Sequence, residues 1–105
     1  MNRELRFTPS AEAAFRQLEG DASRAGLLRQ VLKTLGLLET DLRHPSLRTH
    51  ELHSVVGPNG EKVFEAYVQN RTPSAWRVFF VYGPDRVERG RRVPVITIVA
   101  LTPHP

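Results

Sequence analysis

The stretch Glu61–Tyr82, EKVFEAYVQNRTPSAWRVFFVY, constrains the fold more than any other part of the chain. From Lys62 onward it alternates, with Val63, Glu65, Tyr67 and Gln69 on one face and Phe64, Ala66 and Val68 on the other. That period of two is a strand pattern. The turn formers Asn70-Arg71-Thr72-Pro73-Ser74 follow, and then Ala75–Tyr82, dense in β-branched and aromatic residues. A hairpin symmetric about Thr72 sets Tyr67 opposite Arg77, and Glu65 opposite Phe79 on the same face. Arg77 stands in the middle of the apolar second strand, where an unpaired guanidinium is costly to bury. It therefore meets a carboxylate, snorkels to an edge, or faces an open groove. A Glu65–Arg77 cross-strand pair on a solvated sheet face is one reading of these residues; a functional cation in a groove is the other.

A chain of 105 residues suffices for one core, so residues 1–105 are expected to form a single domain. No apolar run approaches 18 residues and no charged-then-apolar leader opens the chain, so neither a membrane span nor a signal peptide is expected. The absence of cysteine excludes disulfides, thiolate catalysis and cysteine-ligated metal, and it fits a cytoplasmic protein. His44, His50, His53 and His104 lack metal-ligand spacing, so no zinc site is expected. The net charge of +4 points to a polyanionic partner. Residues 1–70 are electrically balanced, and the surplus belongs to Arg71, Arg77, Arg86, Arg89, Arg91 and Arg92, set against Asp85 and Glu88. Arginine is the better fork for phosphate. A solvated loop over Gly83–Arg92, kept soluble by its charges, explains the same pattern.

Glu4-Leu5-Arg6-Phe7 is a short strand candidate. Thr8-Pro9 starts a helix, with a hydroxyl cap, proline in the first turn and Glu12 behind it. Gly20 stops it. Asp21 caps a longer helix whose Leu28, Val31, Leu32, Leu35, Leu38 and Leu42 make one apolar stripe, read as core. His44-Pro45 ends that helix. Glu51–Val56 is the next strand, Gly57-Pro58-Asn59-Gly60 its turn, and Val93–Leu101 the last strand, with Pro94 at its start. The order β-α-α-β-β-β-β gives an α+β domain, a two-helix antiparallel hairpin on one face of a twisted, mainly antiparallel sheet.

In that order and spacing the chain resembles the RelE/ParE toxin superfamily, and within it the RelE-like and HigB-like ribosome-dependent mRNA endonucleases. The resemblance is carried by Phe7-Thr8-Pro9-Ser10-Ala11-Glu12-Ala13, Leu52, Val63-Phe64-Glu65, Trp76–Tyr82, and Ile96–Leu101 running into His104. It implies a metal-independent toxin of a type II toxin–antitoxin system, with a cognate antitoxin, the ribosome and mRNA as partners and no cofactor. Such an enzyme aligns a ribose 2′-oxygen with the adjacent phosphate, holds the developing charge with cations and moves two protons. On this resemblance Arg77, partly exposed in a groove, clamps the phosphate, Glu65 is the base, Tyr67 orients substrate and His104 transfers a proton. Arg71, Arg86, Arg89, Arg91, Arg92 and Lys62 would contact RNA. Glu65 and Tyr67 stand where some relatives carry lysines, and the tail lacks the tyrosine found beside the histidine in several relatives. ParE-like members share the scaffold but inhibit DNA gyrase and cut nothing. A gyrase-binding toxin and a catalytically inactive binding module therefore remain the alternatives.

Overall fold

The structure is a computed structural model that describes residues 2–70, 72 and 74–103. Strand β1 (Glu4–Phe7) leads into helix α1 (Pro9–Glu19). Thr8 Oγ1 accepts the Ala11 backbone N–H at 3.3 Å, and Gly20 closes the helix, as the sequence led one to expect. Asp21 caps a 3₁₀ turn, Ala22–Arg24, and the chain then rolls into helix α2 (Ala25–Thr40). This helix ends four residues before the anticipated stop at His44. His44 instead caps a second 3₁₀ turn, Pro45–Leu47, which lodges Leu47 in the core. Val31, Leu35 and Leu38 are buried, but Leu32 is 49% exposed. At about 100° per residue Leu32 is turned well off the Val31–Leu35–Leu38 line, so the stripe is narrower than its leucines suggested.

The remaining strands are β2 (His50–Val56), β3 (Lys62–Tyr67), β4 (Trp76–Tyr82), β5 (Arg86–Glu88), β6 (Arg91–Val93) and β7 (Val95–Pro103). Five form one sheet in the order β1-β7-β4-β3-β2, with β1 parallel to β7 and every other neighbour antiparallel. The expected α+β architecture is present: both helices cover one face, closing a core that includes Leu38, Val78, Phe80, Ile96 and Ile98. The Gly83–Arg92 segment, anticipated as a loop, contains a two-stranded ribbon, β5–β6. Arg89 and Gly90 both take positive φ at its tip, 50° and 76°. Two such residues in a row form the tight turn whose twist matches a hairpin. No helix among the described residues is long and apolar enough to cross a membrane.

Candidate functional site

Strands β3 and β4 pair with Tyr67 opposite Arg77 and Glu65 opposite Phe79, the register inferred from the loop. Alternation sends Glu65, Tyr67 and Arg77 to the face away from the helices. The arginine is not partly exposed in a groove, however. Arg77 is 8% exposed and Glu65 4%. The Arg77 guanidinium carbon lies 3.7 Å from the centroid of the Tyr67 ring, a stacked cation–π contact. Its Nη1 donates to the carbonyls of Gln69 at 2.9 Å and Trp76 at 3.2 Å. Its Nε stands 4.0 Å from Glu65 Oε1 and, among the described residues, makes no hydrogen bond. The cross-strand charge pair anticipated from the sequence therefore exists. It is a buried contact rather than a solvated one, and it is long.

The carboxylate has a closer partner that the sequence reading missed. His50 Nε2 lies 3.0 Å from Glu65 Oε1, and His50 Nδ1 lies 2.9 Å from the Arg48 carbonyl. A carbonyl only accepts, so Nδ1 carries hydrogen. That leaves Nε2 as the ring nitrogen facing the Glu65 carboxylate. The His50 and Tyr67 rings meet at 63° with centroids 6.1 Å apart, and Arg48 lies over the Tyr67 ring at 5.7 Å. Arg48 takes φ 46° to make the bend that sets His50 at the head of β2. The result is a compact set: an imidazole and a carboxylate in contact at His50–Glu65, a phenol on Tyr67, and a guanidinium on Arg77. No three His, Asp or Glu residues converge as a metal site among the described residues.

The spacing of the histidines gave no hint of His50 because the register of β2 is irregular. Pairing carried straight on from Val56–Lys62 would set His53 opposite Glu65. The irregularity between Leu52 and Val56 shifts the strand by three residues and brings His50 there instead. Thr102 of β7 pairs with Arg77 on the other side. His104 lies two positions beyond Thr102, outside the described residues, as does Arg71.

The other candidate cations sit elsewhere. Arg77 and Tyr82 mark opposite ends of β4, roughly 17 Å apart at about 3.3 Å per residue. The ribbon that follows Tyr82 therefore lies at the far end of the sheet from Arg77. Arg86 is engaged by Glu4, Nη2 to Oε1 at 2.9 Å, and by Glu88 at 3.4 Å. Bonding to Arg86, and next to Arg6, holds the Glu4 carboxyl below its ordinary value. The same Glu4 bond raises Arg86. Arg92 stands 3.9 Å from Asp85, and Lys62 4.0 Å from Glu51. Arg89 and Arg91 flank the exposed tip of the ribbon.

No family model matches the chain, and no curated protein matches it. A solved structure does: the YoeB dimer from Staphylococcus aureus aligns over 100% of both chains, with a TM-score of 0.58 and 11% sequence identity. At that identity the likeness is one of fold, and the fold of this chain is the α+β arrangement of YoeB and RelE-like proteins.

Proposed function

We propose that this chain is the toxin of a type II toxin–antitoxin pair and an endoribonuclease that cleaves mRNA on the ribosome without metal. The observation that carries this reading is the His50–Glu65–Tyr67–Arg77 cluster, set in a YoeB-like fold on the sheet face that the helices leave open. Glu65, with His50 beside it, takes the 2′-hydroxyl proton; Arg77 holds the phosphate charge; Tyr67 orients the nucleotide; His104 protonates the 5′-leaving oxygen. The 2′-oxygen bonds to phosphorus as the phosphorus–5′-oxygen bond breaks, so the products are a 2′,3′-cyclic phosphate and a 5′-hydroxyl. Its partner is a cognate antitoxin, for which the exposed Val56, Tyr82 and Val87 offer apolar surface.

One observation favours a second reading, a non-catalytic binding protein of the same fold. Arg77 is buried and already donates to two carbonyls, so a phosphate can reach it only after Tyr67 or Glu65 moves. Cleavage of mRNA on purified ribosomes separates the two. On the nuclease reading the parent cuts, Glu65→Gln and His50→Gln lose about a hundredfold or more, and Tyr67→Phe loses less. A parent that binds its antitoxin but leaves ribosome-bound mRNA intact refutes the nuclease.

A further inference from the structure

Trp76 opens β4, and alternation turns its indole to the helix side, opposite to Arg77. It is half-buried and packs against the core, yet it also walls a cavity of about 380 Å³ that Gln17, Asp21, Arg24 and Pro103 complete. That volume is within the range of roughly 300–1,000 Å³ that small-ligand pockets occupy. The Arg24 guanidinium carbon lies 5.8 Å from the indole centroid, and its Nε is 3.6 Å from Asp21 Oδ2. Asp21 is fixed in place because its other oxygen accepts from the backbone N–H and the hydroxyl of Ser23. Gln17 is exposed on the last turns of α1 and brings an amide, donor and acceptor together, to the rim.

An indole floor, a guanidinium beside it and an amide at the edge match a flat heteroaromatic ring carrying both donors and acceptors. A phosphate gains little from an indole, whereas any nucleobase stacks on one, and the flanking guanidinium and amide match the donors and acceptors on a base edge. The position in the sheet adds direction. Trp76 pairs with Pro103, and the next pair along is Arg77 with Thr102. The cavity and the buried cluster are therefore one residue step apart at the same end of the sheet, on opposite faces. We propose that the Trp76–Arg24–Gln17 cavity is a nucleobase pocket, taking an unpaired base of a single-stranded RNA whose backbone passes the Arg77 end of β4. The choice of RNA rests on the nuclease reading; the pocket is tested apart from it.

Trp76 is the only tryptophan of the chain, so its fluorescence reports on this pocket alone. The probe is a 2′-O-methyl trinucleotide, which cannot be cleaved, titrated against an analogue that lacks the central base but keeps every phosphate. The expected result is saturable quenching by the trinucleotide and binding at least about tenfold weaker for the analogue, the size of one lost stack. Gln17→Ala and Arg24→Glu alter exposed residues, should leave the melting temperature unchanged, and should each weaken quenching by a similar factor. Equal binding of the two oligomers, or quenching indifferent to both substitutions, overturns the proposal. So does saturable quenching by a tyrosine-bearing peptide but not by RNA, which would make the cavity a protein-docking site. Quenching by RNA in a protein that cuts nothing would keep the pocket and sink the nuclease; cleavage by the parent without quenching would do the reverse.

Discussion

Replacing Arg77 with methionine keeps most of the side-chain volume and removes the charge, which isolates what the guanidinium contributes. Three things go at once: the donations to Gln69 and Trp76, the stack on Tyr67, and the counter-charge 4.0 Å from Glu65. Removing one partner of a buried charge pair costs about 3–5 kcal/mol, chiefly because the other charge is stranded. Glu65 keeps His50 at 3.0 Å, which places the loss near the lower end, at about 3 kcal/mol. Against a total stability of about 5–15 kcal/mol this is a large fraction. It corresponds to a fall in Tm of roughly 12–24 °C, taking about 4–8 °C per kcal/mol for a domain of this size. Adding Glu65→Gln should return part of it, so that the double variant loses about 1–3 kcal/mol less than the two single losses combined. Urea unfolding followed by circular dichroism measures all four proteins. If Arg77→Met unfolds within about 0.5 kcal/mol of the parent, as an ordinary surface change would, the buried cluster is not energetically knit. Loss of activity in an Arg77 variant counts as chemistry only when the fraction folded has been measured beside it.

Val31 is fully covered, so Val31→Asp should abolish soluble folding, as expression and circular dichroism would record. Neutralising Arg89 together with Arg91 should weaken ribosome association and flatten its salt dependence by about two phosphate contacts, whereas Arg86→Ala should act mainly on stability, through Glu4. Sedimentation across a salt series distinguishes the two effects. The lowered pKa of Glu4 sets a sign for acid. The stabilisation of the folded state by ionised Glu4 is fully present above the ordinary value of 4.5 and is lost as pH falls through its lowered folded value. The parent should therefore exceed Glu4→Gln in urea midpoint near neutral pH, and the two should converge below pH 4.5, where coincident curves at every pH would refute the pair.

The parts of the fold that could be read from sequence are those fixed by neighbours along the chain. Thr8-Pro9 announced α1 because capping is local, and the Tyr67–Arg77 register followed from the length of a single loop. The ribbon at residues 86–93 escaped because its turn is Arg89-Gly90, which lacks the asparagine or aspartate that marks such turns. The exposure of Leu32 escaped because a leucine at the margin of a stripe looks like one at its centre. In the site, Glu65, Tyr67 and Arg77 were recognised as one face, yet the burial of Arg77 was not. Burial depends on how the Arg48–His50 bend closes over Tyr67, and that bend comes from a segment 15 or more positions earlier. His50 was hidden for the same reason. Only a register slip in β2 distinguishes it from His53.

The strand that completes the sheet follows its four sheet partners in the chain. β7 lies between β1 and β4, and its parallel pairing with β1 joins Glu4 to Val95. Closing a loop of about ninety residues costs on the order of 4 kcal/mol in chain entropy before any contact is gained. Until β7 leaves the ribosome, β1 and α1 have no sheet to rest on, and Arg77 has no strand on its Thr102 side. Early synthesis can therefore produce helices and the β2–β3–β4 meander, but not a finished site. A domain wired in this way folds late and as a whole, at the slower pace of chains rich in distant contacts. Any role that needs the Arg77 face of the sheet waits until β7 has emerged.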